Sequence, residues 1–175
     1  LSSFFLDLAL WGYEDIKEFK FLNYPLEVVQ NSTNLVLQEL QMLNEDNQIT
    51  NFGKKSLTLG VHPRFAFMIL RANELGFAYE ACLLSAMLSE KDIFKNMSFN
   101  CDIYSRFLHL YEKDFDSAYI SSHKAKNVLK QAEFFYNKLK SIETINKNTR
   151  KINEENLIIL LLLAYPDRLA KQRGK

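Results

Sequence analysis

Glycine and proline are scarce in this chain, with 5 glycines and 3 prolines among 175 residues. Because both residues interrupt regular structure, long stretches without them favour helices over a many-stranded sheet. The 47% apolar and 25% charged residues, with 14 phenylalanines, are typical of a folded protein and exclude a disordered one. The composition therefore predicts a mainly α protein, of a length that suits one ordinary domain or two small ones.

Long apolar runs and a cysteine framework are also lacking. The longest apolar run, residues 157–164, has eight residues, far fewer than the ~20 that a membrane helix needs. Cys82 and Cys101 do not form a spaced pair, which argues against a disulfide framework and fits a reducing cytosol. We expect a cytoplasmic protein with no membrane partner.

Since Leu1 lies inside an amphipathic pattern without an initiator Met or a charged leader, we expect an excised fragment.

Catalytic and cofactor motifs are missing as well. Residues 53–56 (GKKS) superficially resemble a phosphate-binding loop, but Gln48 stands where its first glycine belongs and a second lysine intervenes. We expect these residues to cap a short helix. No Gly-x-Ser-x-Gly elbow occurs, and His62, His109 and His123 lack partners at zinc-ligand spacing. The sequence therefore predicts no catalytic residue, metal site or cofactor within this chain.

The net charge of +1 is unevenly distributed along the chain. Residues 1–60 carry four basic and eight acidic side chains, net −4, and residues 61–120 carry six and eight, net −2. Residues 121–145 carry five and two, net +3, and residues 146–175 carry seven and three, net +4. The basic rear part suits contact with a polyanion. The alternative is that its lysines only solvate the last helices.

Apolar residues recur at helical spacing through most of the chain. A long early helix should have Pro25 in its first turn and an apolar face that runs to Leu43. A later helix should begin at Pro63 and end at Gly76. The other predicted helices cover residues 1–10, 52–57, 77–88, 101–111, 122–142 and 154–164, with a short helix or turn at 15–21.

The first part of the chain is compatible with a small winged-helix domain. Its predicted order is helix, helix, long helix, an acidic turn at residues 44–51, and another helix. Ile49 and Thr50 could form a short strand, and a minimal wing would be built around residues 48–50. A plain helical hairpin with a polar loop fits the same pattern.

Two segments about 70 residues apart carry a resemblance to a known family. They are Leu59 to Asp92, which contains His62-Pro63-Arg64, and Leu163 to Gly174 (LAYPDRLAKQRG). In this order, with residues 40–53 (LQMLNEDNQITNFG) before them, they resemble the region that follows the motor domains of bacterial HrpB-type DEAH-box helicases. The match covers most of the chain, but residues 95–153 agree only in helical layout.

The resemblance implies a domain organisation for the chain and for the protein of which it would be a part. Residues 1–60 would form a degenerate winged helix, residues 61–145 a helical bundle called the ratchet domain, and residues 146–175 a last helix and linker toward an OB-like domain. Two RecA-like motor domains, which use ATP and Mg²⁺, would precede them, so this fragment should not hydrolyse ATP by itself. The implied partners are these RecA-like and OB-like domains and single-stranded RNA or DNA, because the ratchet bundle forms one wall of the strand channel.

A wall that lines a nucleic-acid strand needs hydroxyls, cations and helix ends that face the groove. Such residues cluster at the start of the longest predicted helix, where the positive end of the helix dipole also favours phosphate. These candidate nucleic-acid-binding residues are Ser121, Ser122, His123, Lys124 and Lys126. The alternative is that they only cap and solvate the helix.

A second candidate nucleic-acid-binding cluster comprises Arg168, Lys171 and Arg173, and the alternative is a linker that contacts the next domain. The motif residues His62, Pro63 and Arg64 should be structural. We expect His62 at the helix cap, Pro63 at the first helical position, and Arg64 paired with a neighbouring acid.

Trp11 and the phenylalanines should belong to the core, not to surfaces on which bases stack.

The sequence as a whole predicts a non-catalytic accessory region of a helicase that guides single-stranded nucleic acid and couples it to motor domains. One alternative is an independent winged-helix DNA binder, but the helix that would read DNA, residues 31–43, has Glu39 as its only charge. Another alternative is a helical protein-interaction module that binds no nucleic acid.

Overall fold

The computed structural model describes residues 1–13, 16–95, 102–115, 119–147 and 151–170. Within these ranges the chain is mainly α, as predicted, and its only β structure consists of two isolated bridges. Two 3₁₀ turns, Ile16–Glu18 and Pro166–Arg168, accompany the helices. The α-helices are α1 (Ser2–Trp11), α2 (Glu27–Glu39), α3 (Asn51–Leu59), α4 (Pro63–Leu75), α5 (Ala78–Ser89), α6 (Ile103–Tyr111), α7 (Ser122–Ile142) and α8 (Glu154–Ala164).

Side chains and glycines set several helix ends. Thr50 Oγ1 accepts a hydrogen bond from Gly53 N at 3.0 Å and so begins α3. Asn153 Oδ1 accepts from Asn156 N at 2.9 Å and begins α8. Gly12 ends α1 with a φ of 82°, a left-handed conformation that glycine adopts without steric cost. These local signals explain why the sequence indicated most helix limits to within a few residues.

The predicted limits of α2 were wrong at both ends. Leu26 is extended and precedes the helix, so Pro25 lies outside its first turn. The helix ends at Glu39, because Gln41 turns the chain back with a φ of 56°. This turn brings Leu43 opposite Ile49, where they form one antiparallel bridge.

The chain divides into two compact units, Leu1–Phe67 and Met68–Lys175, and the division falls inside α4. In the first unit α1 contacts both α2 and α3. Its core is aliphatic, with Leu6, Leu37, Leu40, Met42 and Leu59 almost fully buried. Around the bridge, Asn44 N donates to Gln48 O at 2.9 Å. The winged-helix assignment of this unit and the predicted domain limits stay predictions.

In the second unit α5 is the central helix and packs most extensively against α7 and next against α6. It is buried on most sides, in keeping with its apolar sequence, and its one inward hydroxyl, Ser85 Oγ, donates to Ala81 O at 2.7 Å. The buried face of α7 consists of Ala125, Val128, Ala132, Phe135 and Leu139.

The buried amide of Asn73 ties α4 to the segment after α7. Its Nδ2 donates to Thr144 O at 2.9 Å, and its Oδ1 accepts from Asn146 N at 3.1 Å. The packing against α5 holds one face of α7, and the Asn73 amide holds the segment that follows it. The opposite face of α7 is exposed to solvent.

Candidate nucleic-acid interface

The start of α7 is anchored by a short antiparallel contact between two loops. Ser121 N donates to Ile93 O at 2.8 Å, and Lys95 N donates to Tyr119 O at 2.8 Å. Ile93 and Ile120 are both buried beneath this contact. Ser121 Oγ then accepts from Lys124 N at 3.5 Å as the N-cap of α7. The first turn of the helix is thus held in a defined position.

Asp92 organises the loop that supports this turn. Its carboxylate pairs with Arg106, with 2.9 Å between Arg106 Nη2 and Asp92 Oδ2, and its Oδ1 accepts from Phe94 N at 3.1 Å. Burial raises the pKa of this carboxyl. The hydrogen bonds from Arg106 and Phe94, together with the charges of Arg106 and Lys124, outweigh it, so the pKa of Asp92 is lowered. The group is held as a carboxylate.

Lys124 is attached to the same loop. Its Nζ donates to the backbone oxygen of Asp92 at 2.8 Å, and the side chain is half-buried. An ammonium has three N–H donors, so Lys124 can keep this bond and still offer a donor to an anion. Its first role in the fold is nevertheless to join α7 to the loop.

The other predicted residues of this turn are exposed. Ser122, His123 and Lys126 all project into solvent, and His123 Nε2 lies 3.4 Å from Asn127 Nδ2. They surround the N-terminus of a 21-residue helix, where unpaired backbone N–H groups and the helix dipole favour negative charge. The structure therefore brings the five candidates together within the first two turns of α7, where the side chains of Ser122, His123 and Lys126 are exposed.

The second predicted cluster is described only in part. Arg168 lies in the 3₁₀ turn after α8 and is exposed, with its guanidinium carbon 5.1 Å from the centre of the Tyr165 ring. Lys171 and Arg173 lie outside the described residues. Arg168 is thus on a separate element from the α7 candidates.

The motif residues His62, Pro63 and Arg64 form the start of α4. Pro63 is its first residue, and His62 Nδ1 accepts from Arg64 N at 3.3 Å. Partial burial, followed by the positive charges of Arg64 and the chain N-terminus, lowers the pKa of His62. A neutral imidazole is the form that accepts this hydrogen bond, so the geometry is that of a helix cap.

Two aromatic side chains do not follow the sequence-based expectation. Trp11, which was expected in the core, is 62% exposed near the end of α1. Phe134 on α7 is 51% exposed, whereas its neighbour Phe135 is buried. For Phe134 the expectation was wrong because the apolar stretch Phe134 to Tyr136 spans more of the helix circumference than the contact with α5 covers.

The phosphate-loop resemblance of residues 53–56 has a structural explanation. These residues lie inside α3 and do not cap it, contrary to our expectation, since Thr50 is the cap. Gly53 packs so closely on Met42 O that a Cβ there would collide with it, and would also lie 2.9 Å from Ile49 Cγ1. The glycine is required for close packing, not for phosphate binding.

Within the described ranges, no group of three or more His, Cys, Asp or Glu side chains is placed to hold a metal ion. None of the described helices combines the length and apolarity needed to cross a membrane.

Comparison with known proteins gives matches in sequence and in structure, although no protein-family model matches the chain. The chain is 33% identical over 98 residues to the ATP-dependent RNA helicase HrpA of Escherichia coli, and 33% identical over 100 residues to the HrpA homolog of Haemophilus influenzae. Each alignment covers 53% of this chain but only 8% of the helicase. The matched half of this chain therefore corresponds to a small part of these relatives.

Crystal structures of Escherichia coli HrpB match the whole chain. One, described as a DExH-box NTPase, gives a TM-score of 0.69 at 23% identity, and another, described as a DEAH/RHA helicase, gives 0.71 at 22%. Both superpositions cover 100% of this chain and 19% of HrpB. The predicted resemblance is therefore confirmed: the chain is similar in sequence to HrpA helicases over about half of its length, and over its full length it has the fold of one region of HrpB.

Proposed function

We propose that this chain is a non-catalytic accessory region of a DEAH-type helicase, which guides single-stranded RNA or DNA and transmits motor movement to it. The observation that carries the proposal is the N-terminal end of α7, where Ser122, His123 and Lys126 are exposed near the positive end of the helix. ATP and Mg²⁺ would act in RecA-like domains of the whole protein, which with an OB-like domain would be the partners of this region.

The physical basis is that strand guidance needs many weak backbone contacts and no chemistry. Lysine and hydroxyl groups bind phosphate oxygens without reading the base, so a strand can move past them. The anchoring of α7 by Ser121 and Asp92 keeps such contacts at a fixed position. A rigid helix end of this kind is suited to transmitting a domain movement to the strand.

The alternatives have weaker support. An independent winged-helix DNA binder would present a basic helix to phosphates, but the charges of α2 are Glu27 and Glu39. A protein-interaction module with no nucleic-acid role predicts binding to RNA that is absent or independent of salt.

We expect the chain to bind a single-stranded oligonucleotide with an affinity that falls as salt rises, because phosphate contacts release counterions. Lys126→Glu should weaken this binding and reduce the log–log salt slope by about 0.7 for the lost phosphate contact. Fluorescence anisotropy across a salt series, with RNA and DNA of equal length, measures both quantities.

Lys54→Glu is the matched control, since it makes the same charge change at an exposed position of α3. Equal losses for the two variants would mean that only net charge matters and would remove Lys126 from the site. A wild-type slope near zero would favour the protein-interaction module.

A further inference from the structure

The outer face of α7, opposite its buried face, continues well beyond the first turn. Successive helical residues are about 100° apart, so eight side chains fall within a sector of about 120° along roughly 27 Å of helix. Seven of the eight are exposed and Lys138 is half-exposed. The outer face of α7 consists of His123, Lys126, Asn127, Lys130, Phe134, Asn137, Lys138 and Ser141.

This face is basic and rich in hydrogen-bond donors. It carries three lysines, an imidazole, two carboxamides and a hydroxyl, and the one acid of α7, Glu133, lies beside it. Within the part of the chain that the structure describes, neither Lys126 nor Lys130 forms an ion pair. The positive charge of the face is therefore available to an external anion.

Phe134 interrupts this polar face. Its ring is 51% exposed, and Lys138 Nζ lies 5.7 Å from its centre. The adjacent core position is already filled by Phe135, so Phe134 contributes little to the packing of α7 on α5. An exposed aromatic ring flanked by cations is the combination that binds unpaired bases, because the ring stacks on the base while the cations meet its phosphates.

We propose that the outer face of α7 is a binding track for single-stranded nucleic acid, in which Phe134 stacks on a base and Lys126, Lys130 and Lys138 contact phosphates on either side. This inference rests on the proposed function and extends it from the first turn to most of the helix. Lys124 lies outside the track, because its position is about 100° around the helix from His123 and so falls outside the outer face.

The test separates stacking from charge. Phe134→Leu keeps the apolar bulk but removes the ring, so affinity for a single-stranded oligonucleotide should fall by about fivefold or more while the salt slope is unchanged. Lys130→Gln should lower affinity and also reduce the slope by about 0.7. Phe134→Tyr, which retains the ring, should bind like the wild type.

A 2-aminopurine base in the oligonucleotide reports stacking directly. Its fluorescence should change on binding to the wild type and Phe134→Tyr, and much less on binding to Phe134→Leu. Trp11→Leu is the matched control, since it removes an exposed ring from α1, 62% accessible against 51% for Phe134, and should change neither signal.

The outcomes are distinguishable. If Phe134→Leu binds like the wild type while Lys126→Glu is weakened, the stacking track is overturned and the proposed function stands. If the wild type binds no oligonucleotide at low salt, both are overturned. Equal losses in Phe134→Leu and Trp11→Leu would also exclude a specific role for Phe134.

Discussion

At the scale of single residues, Asp92 makes contacts that connect several elements near the candidate interface. Its carboxylate binds Arg106 and the amide of Phe94, and its backbone oxygen accepts from Lys124 on α7. The Arg106 guanidinium also lies over the Phe94 ring at 4.8 Å. One residue thus joins the loop after α5 to both α6 and α7, and its charge should matter for stability.

We expect Asp92→Asn to lower the free energy of unfolding by about 1–2 kcal/mol near neutral pH, because it replaces charge-assisted hydrogen bonds by neutral ones. Since the folded-state pKa of Asp92 lies below its ordinary 3.8, the stability that the carboxylate adds is present above that value. It is lost as pH falls through the lowered pKa. Urea denaturation of both proteins at about pH 7 and about pH 3 should show the difference shrinking on acidification.

Asp114→Asn provides the comparison for this pH effect. Asp114 Oδ2 lies 3.6 Å from His109 Nδ1, and its side chain is 60% exposed, so its loss should change stability by less than about 0.5 kcal/mol. A stability difference for Asp92→Asn that is the same at both pH values would show that the charge of Asp92 is not what stabilises the loop.

At the scale of elements, the packing of α3 on the turn after α2 depends on Gly53. The α3 helix approaches the Met42 carbonyl and the Ile49 side chain so closely that a β-carbon has no space. A glycine inside a helix ordinarily costs about 1 kcal/mol relative to alanine, so its presence here needs such a reason.

We expect Gly53→Ala to destabilise the protein by about 1 kcal/mol or more, because backbone displacement from overpacking exceeds the gain in helix propensity. Lys54→Ala, one residue along the same helix and exposed, should change stability by less than about 0.5 kcal/mol. Thermal and urea unfolding of the two variants measure these effects. An increase in stability for Gly53→Ala would contradict the close approach of α3 to Met42.

Elements that carry their own start and stop signals were predictable from the sequence. The limits of α7 and α8 agree with prediction, since Ser121 and Asn153 cap them and Pro166 follows α8. The end of α2 was not predictable. The left-handed turn at Gln41 reverses the chain so that Leu43 can pair with Ile49, which lies later in the sequence. Local sequence does not encode which residues a later segment will contact.

In the candidate site, too, some features were predictable from local sequence and others were not. The position of Lys126 on an exposed helical turn follows from helical periodicity, whereas the bond from Lys124 to Asp92 O links residues 32 apart in sequence. Phe134 was missed because it was grouped with the other phenylalanines as a core residue, although counting in steps of four from Lys126 and Lys130 would have put it on the lysine face.

At the scale of the whole molecule, charge is separated along the chain. Residues 1–60 have a net charge of −4, and residues 121–175 have a net charge of +7, the sum of +3 and +4 for their two parts. A polyanion is attracted to the second region and repelled by the first. This asymmetry predicts where a strand should bind, independently of any single residue.

We expect photo-cross-links from a single-stranded oligonucleotide containing 4-thiouridine to fall within residues 121–147, since these include the exposed lysines of α7, and not within residues 1–60. Peptide mapping by mass spectrometry locates them. Because the attraction is electrostatic, their yield should fall steeply with added salt. Cross-links concentrated in residues 1–60 would instead favour an independent winged-helix binder, since the acidic charge of that region could then be overcome only by specific base contacts.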